Sequence, residues 1–488
     1  MDLQTLRKLA LTLGLALAGT AALAQSNPGN SALNPYQGSV QAVALTSQPR
    51  RLSLDEALRL GMANNLALTL ARQQQKTAAA EKLQLVNVLL PNMSIHGETG
   101  VHQYNLEAMG FHPASIGIFS SLLPPGVSPS DMHLITKVDT TIGQVNFSQA
   151  LFNWSGYDIW RAAQHATKAA FYNKQASAGL VVLNVGISYL AAVAARSQVN
   201  YAKALLRTDK TLLEQAHQEH LAGVVANLDE LRARVQYQAQ QQAVISAEDA
   251  FTKDKIALKR QIGLAPGQPI VLTDSAPYAQ LHSMPIGQAL TEAYANRQVL
   301  RMLRQELHVA EDEKSATRHE RFPTLTFHGN YGITGVSGGV YHGTFIAMGT
   351  LSVPIFNEGK IRGDQDVALA QLSEIRARIR SVTVQIDQQV RDSLLDLQTA
   401  EQTVSVAKSN VALAQTALDQ TQQRFNAGVS GNLPVAEAQS TLAAAQTQYV
   451  NSVFQLNRAR LELARNLGLI DQQFGNFETA PKSSGLGS

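Results

Sequence analysis

The groups in this 488-residue chain that could do chemistry are 12 histidines and 37 acidic side chains, and their spacing argues against catalysis. The tightest constellation is His217-Gln218-Glu219-His220. It is one residue short of the H-E-x-x-H or H-x-x-E-H spacing that puts two imidazoles on one helical face around zinc. His96, His102, His112 and His133 fall in one stretch of loop and strand, where scattered polar histidines are the common case, so no metal is predicted. G-x-S-x-G, P-loop and G-x-G-x-x-G patterns in a strand-turn-helix context are absent. With no convergent nucleophile and base, neither an enzyme nor a cofactor is predicted. The chain has no cysteine, which removes disulfides, thiolate metal sites and a lipid-modified N-terminal cysteine. Its net charge of +3 comes from interspersed acids and bases, without the clustered cations and aromatic platforms of a nucleic-acid surface.

Residues 1–24 have the layout of a secretory signal: Arg7 and Lys8, an apolar stretch from Leu9 to Ala18, then Ala22-Leu23-Ala24. The mature protein is expected to begin near Gln25 and to work outside the cytoplasm. Beyond the signal no run of eighteen uninterrupted apolar residues follows, so no transmembrane helix is predicted. A membrane location would then require a closed β-barrel, the other way to satisfy every backbone amide in lipid.

The chain also repeats itself. Leu54 to Gly97 lies on Ile286 to Gly329 without a gap, and each copy continues through a Phe-Asn turn, at Phe152-Asn153 and Phe356-Asn357. Each then has a long Ala/Gln/Leu helix, an Ala-Gly turn and a closing Gly-Leu. A period of about two hundred residues reads as a duplicated half-structure rather than a solenoid unit. The expected organisation is a signal (1–24), an extended lead-in (25–52), a first repeat (53–264), an equatorial linker (265–285), a second repeat (286–470) and a tail (471–488).

Within each copy Ser53 or its counterpart opens a helix, expected to run unbroken to about Leu90 or residue 322, and Pro91 or Pro323 ends it. The period then changes from helical to alternating. Leu325, Phe327, Tyr331 and Ile333, answered by Phe345, Ala347, Leu351 and Val353, mark one hairpin. Met93, Ile95 and Val101, with Ile142, Val145 and Phe147, mark a fainter one that includes a phase slip. Alternation of this kind suits a tilted membrane strand or a half-buried soluble hairpin alike. The first hairpin carries the longer loop, with the extra residues at about Ala108 to Leu134.

Tyr157 to about Leu221 and Lys360 to about Phe425 lack proline and read as helices of roughly 100 Å at 1.5 Å per residue. Val404, Ala407, Val411, Ala414, Leu418, Thr421 and Phe425 recur three and four apart, as do Leu372, Ile375, Ile379, Val382 and Ile386, the seam of a coiled coil. Shorter helices, about Asn227 to Ile262 and Asn432 to Leu467, follow the Ala-Gly turns. Four strands cannot close a barrel, and open edges in lipid would leave amides unpaired, so several chains must pool their strands. Three copies would give twelve, arranged with cyclic symmetry.

With this helix-strand-strand-helix repeat, with Arg424-Phe425-Asn426-Ala427-Gly428 and Leu433, and with Leu221-Ala222-Gly223 and Leu228-Asp229, the chain resembles the TolC-like outer-membrane efflux proteins over residues 53–470. The resemblance implies an α+β membrane protein: a homotrimer whose 12-stranded β-barrel, four strands per chain, stands in the outer membrane and continues as an α-helical coiled-coil barrel through the periplasm. It implies a passive exit duct of a tripartite efflux or type I secretion system, partnered by a periplasmic adaptor and an inner-membrane pump. Ala222, Gly223, Leu228, Asp229, Ala427, Gly428 and Leu433 would form the periplasmic tip where adaptors dock. The family carries two acids three apart at its entrance. Here the matching positions are Pro434 and Glu437, leaving Glu437 as the candidate gate residue. Phe152, Trp154, Tyr157 and Trp160 stand where an aromatic belt would meet the inner lipid interface, or would pack between barrel and helices. A periplasmic coiled-coil adaptor is the alternative, but no β-rich lipoyl-like stretch is present. A secreted hydrolase would need the catalytic groups already found missing.

Overall fold

The computed structural model describes residues 34–40, 45–105, 135–223, 226–274, 284–431 and 433–470. The expected signal, the expected long loop at about 108–134 and the expected tail at 471–488 lie outside them. The chain divides into two compact units: Ala80–Gln164 with Val309–Leu372, and the described parts of Leu11–Ala79, His165–His308 and Ser373–Ser488.

The first unit holds a four-stranded antiparallel sheet of β2 (Asn92–Asn105), β3 (Ile135–Phe152), β5 (Thr324–Val336) and β6 (Tyr341–Ser352), in the order β2-β3-β5-β6. The two hairpins, one from each repeat, join through β3 and β5, which leaves β2 and β6 as edges. Leu85, Ile159, Ala163 and Ala316 form a small core beside it.

Register explains the alternation. From Thr140 to Ala150 the β3 ladder on β5 is unbroken, so Ile142 falls on the opposite face from Val145 and Phe147. The expected phase slip lies elsewhere, at a bulge between Ala150 and Phe152: Ala150 pairs with Thr326 and Phe152 with Leu325, so Leu151 is the extra residue.

The second unit is helical. It contains α4 (Asn227–Ile262), α5 (Ile286–Asn296) and α8 (Leu433–Asn466), all of α1 (Leu54–Asn64), and stretches of α2 (Leu66–Val86), α3 (Trp154–Leu221), α6 (Gln298–His319) and α7 (Glu358–Asn426). Its core gathers Leu52, Leu58, Leu68, Val181, Val185, Tyr189, Leu258, Ile386, Leu397, Leu463 and Leu467. α3 is long enough, and one window of it apolar enough on average, to cross a membrane by length and composition alone. In the folded chain Val181, Val182, Val185, Tyr189, Ala192 and Val193 from α3 are core residues.

Two features were not anticipated. The first helix of each repeat is broken, at Asn65 and at Arg297, positions separated by the same 232 residues that align Leu54 with Ile286. Asn65 leaves the helical region (ψ 136°), and its Oδ1 accepts from Ala67 N at 2.9 Å, capping α2, while its amide donates to Tyr36 O. Arg297 (ψ 116°) instead sends its guanidinium to Asn466 Oδ1 and Gln389 Oε1 at 2.9 and 2.8 Å. The other feature is a pair of parallel three-residue strands, β1 (Arg50–Leu52) and β4 (Ile270–Leu272), which ties the lead-in to the linker through buried Leu52 and Leu272. Tyr189 Oη donates to Leu52 O and Asp274 Oδ2, holding that stitch against α3.

The seam residues pack. Ala414, Leu418 and Phe425 of α7 cluster with Leu205 of α3 and Val435 and Leu442 of α8. α7 also exposes Val384, Leu395, Val406 and Leu413, and α4 exposes Leu228, Leu231, Val235 and Ile245.

Candidate functional site

The sheet sorts its side chains by chemistry. Residues directly opposite across strands share a face. One set of rows runs Met93–Phe147–Gly329–Ala347, Ile95–Val145–Tyr331–Phe345 and Gly97–Gly143–Ile333–Gly343. Leu351, Leu325 and bulge-corrected Phe152 extend the same face, and Phe147 meets Phe327 edge-on with ring centroids 5.7 Å apart. The intervening rows run Asn92–Ser148–His328–Met348, Ser94–Asn146–Asn330–Ile346, His96–Gln144–Gly332–Thr344 and Glu98–Ile142–Thr334–His342. One face is therefore apolar and the other polar, yet Ile95, Tyr331 and Phe345 on the apolar face are 86, 72 and 76 % exposed. An apolar face left so open marks a surface made for contact with another apolar phase. At its far end Thr99, Thr141 and Ser337 share hydroxyl hydrogen bonds, Thr141 Oγ1 lying 2.8 Å from Ser337 Oγ.

At the opposite end of the same strands the four aromatic residues singled out in the sequence form a chain of rings. Phe152 to Trp154 is 5.8 Å and Trp154 to Tyr157 6.1 Å, both edge-to-face, and Tyr157 to Trp160 is 5.6 Å. Phe152, Trp154 and Tyr157 are each about two-fifths exposed, so each ring keeps one side against its neighbours and one side open. Asn153 begins α3 by accepting Gly156 N on Oδ1 at 2.9 Å, and buried Asp158, one turn on, takes His319 Nδ1 at 2.5 Å. Ile355 and Phe356, in the matching turn of the second repeat, are 95 and 96 % exposed. The repeat alignment already paired Phe356 with Phe152, and that was the signal for this missed ring.

In the second unit both helical reversals turn on glycine. Gly223 and Gly428 have φ of 77° and 68°. At Gly428 the next amide, Val429 N, reaches Arg424 O at 3.0 Å while Gly428 N reaches Phe425 O at 2.9 Å, the paired bonds of a Schellman ending. Ala222, Ala427, Leu228 and Leu433 are exposed, and Asp229 pairs with Arg232 at 3.5 Å. Glu437 stands exposed one turn into α8, two positions before buried Gln439.

Inside this end of the bundle lies a small cleft lined by Asp209, Leu212, Arg232, Ala233, Gln236, Ala436 and Gln439. Asp209 is 2 % exposed, and neither its Oδ1 nor Gln439 Nε2 has a hydrogen-bond partner. Burial pushes the Asp209 carboxyl up to about 6, partly countered by Gln439 across from it. Glu306 on α6 is likewise buried and pushed up to about 7, with Arg378 opposing. No sequence pattern distinguishes these carboxylates from surface ones.

Among the described residues His165 and His308 stand side by side, ring centroids 5.0 Å apart, but the histidines singled out in the sequence do not converge. His217 Nδ1 lies 3.2 Å from buried Glu230 Oε1, which also takes Arg234 at 2.9 Å, while Glu219 pairs with Gln215. Among the described residues no three His, Asp or Glu side chains are grouped to hold a metal, and His112 and His133 lie outside them.

A family model described as "Outer membrane efflux protein" matches residues 136–264 and 289–469. The chain is 25 % identical to the pyoverdine export outer membrane protein OpmQ of Pseudomonas aeruginosa over 68 % of its length and 69 % of that protein. It is 25 % identical to the outer membrane protein TolC of Vibrio cholerae, over 67 % of this chain and 77 % of that one. Among solved structures, the CmeC outer membrane channel of Campylobacter jejuni superposes with a TM-score of 0.69 at 16 % identity, covering 87 % of this chain and 89 % of that one. VceC of Vibrio cholerae gives 0.68 at 16 % identity, covering 85 % and 96 %.

Proposed function

Because the chain belongs to the outer membrane efflux protein family, and so is an exit duct of the outer membrane with a helical part in the periplasm, we propose that three copies close their sheets into one twelve-stranded barrel. The observation that carries this is the sheet itself: four strands, two unpaired edges, one apolar and one polar face. Pairing β6 of one copy with β2 of the next removes every edge, turns the apolar face to lipid and encloses water against the polar one. From Leu325 to Ile333 the apolar rows extend about 26 Å at 3.3 Å per residue. A strand tilt near 40° reduces that to about 20 Å, most of the roughly 25 Å apolar band of outer-membrane barrels. The exposed apolar residues of α4 and α7 supply helix faces for the neighbouring copies.

The remaining roles follow from this arrangement. Phe152, Trp154, Tyr157 and Trp160 anchor the inner lipid interface. Ala222, Gly223, Leu228, Asp229, Ala427, Gly428 and Leu433 form the periplasmic tips that an adaptor grips, with an inner-membrane pump behind it supplying energy. Three Glu437 carboxylates near the axis attract cations at the entrance.

Membrane fractionation and unboiled gel migration test the assembly. A heat-modifiable trimer in the outer membrane is expected, and a water-soluble monomer without detergent would refute it. In single channels, Glu437→Ala should weaken block by multivalent cations. Unchanged conductance and cation sensitivity would remove Glu437 from the gate. Crosslinking in cells should capture an adaptor at residues 222–229 and 427–433.

A further inference from the structure

The polar face of the sheet has an unusual inventory of charge. Among the described residues its ionisable side chains are His96, Glu98, His102 and Tyr104 on β2, His328 on β5 and His342 on β6. β3 contributes none, and no lysine or arginine stands on this face, because Lys137 and Asp139 occupy the alternate rows. All four imidazoles are exposed, and His96 Nε2 lies 3.2 Å from Glu98 Oε2. Glu98 and His342 end the same cross-strand row, on opposite edge strands. Among the described residues the wall thus carries one carboxylate and four imidazoles per chain, imidazole being the side-chain type whose ordinary charge change falls between pH 5 and 8.

We propose that this histidine-bearing face is an ion-selectivity surface that reverses sign with acidification, favouring cations at neutral pH and admitting anionic solutes once its imidazoles are protonated. The inference rests on the closed-barrel reading, which turns the face inward and repeats it three times around one lumen. A ring of like charge in a pore raises the local concentration of counter-ions, and salt screens it over about 10 Å at 0.1 M but about 30 Å at 0.01 M. The effect therefore belongs to dilute solution. One carboxylate stands against as many as four imidazoles in each chain, which sets the direction of the expected change.

The test is the reversal potential of purified trimers in planar bilayers under a dilute KCl gradient, at pH 8 and pH 5. The wild-type K⁺/Cl⁻ permeability ratio is expected to fall several-fold on acidification and to cross one. H96Q/H102Q/H328Q/H342Q should hold its pH 8 ratio at both pH values, and Glu98→Gln should lower the ratio at pH 8. If the quadruple variant fails to insert, the four single variants replace it, each removing part of the shift. A wild-type ratio that does not move, or variants that shift as fully as wild type, would overturn the proposal and place selectivity elsewhere, with Glu437 the first suspect. Trimers that conduct with an unmoved ratio defeat this inference alone, whereas absence of channels from folded wild-type protein defeats the barrel reading and this one with it.

Discussion

Asp209 and Glu306 are carboxylates held away from water by helices distant in sequence, and the cost is legible in their titration. For each, the folded-state value, about 6 and about 7, lies above the ordinary 3.8 and 4.5. Stability is therefore full below the ordinary values and is lost progressively as pH rises from them, the loss being complete above about 6 for Asp209 and about 7 for Glu306. Asp209→Asn should remove the first part of that loss. The gap between 3.8 and about 6 corresponds to about 3 kcal/mol per chain as an upper bound. Denaturant unfolding in detergent at pH 3 and pH 8 checks it: the variant should gain at pH 8 and change little at pH 3, where the carboxyl is protonated folded and unfolded alike, and an equal change at both would deny the buried charge. Nothing in the sequence announced either residue, because burial of a lone acid depends on which helices meet. Glu437 was found only by position, through its place after the second helical reversal. Phe152, Trp154, Tyr157 and Trp160 were found by type and spacing, and the structure brings the four rings into contact.

At the level of elements, the two long helices could be read from the absence of proline and the three-four recurrence of small apolar residues. The observed Trp154–Leu221 and Glu358–Asn426 start only a few residues before the expected Tyr157 and Lys360. The breaks at Asn65 and Arg297 were hidden. Neither residue is a helix breaker by type, and each leaves the helix to bond outside it, Asn65 to Tyr36 and Arg297 to Asn466 and Gln389. The turns give a second prediction. A Cβ at Gly428 would meet nothing within 4 Å, whereas one at Gly468 would come 2.6 Å from Asn296 C and 2.8 Å from its O. Gly428→Ala should cost only the left-handed backbone term, about 1 kcal/mol. Gly468→Ala should cost clearly more, because α8 ends against the α5–α6 junction. Trimer melting compares them, and equal losses would mean that the close approach at Gly468 is relieved elsewhere.

For the whole molecule, the sequence indicated pooled strands because four cannot seal themselves, and it gave the apolar phase of β5 and β6 correctly. It misplaced the phase of β3, since Ile142 resembles an apolar-face residue by type and only the ladder shows it among polar neighbours. The stitch of β1 on β4 was also beyond reach, each strand being three residues long. The apolar face makes the last prediction: Tyr331→Lys, in the middle row, should cost about 2–4 kcal/mol in lipid and reduce the heat-modifiable trimer, while Asn330→Lys, one residue away on the polar face, should spare it. Equal damage from both would refute the assignment of faces.

The bulge at Leu151 acts on parity. A strand offers its residues to alternate sides, so any single insertion or deletion exchanges inside for outside for everything beyond it. Leu151 makes such an exchange at the foot of β3, where it returns Phe152 to the apolar face just as the chain turns into α3. A strand of this kind can absorb a one-residue change in length only at a site like this one, because anywhere else the change would carry the apolar side chains beyond it to the polar face.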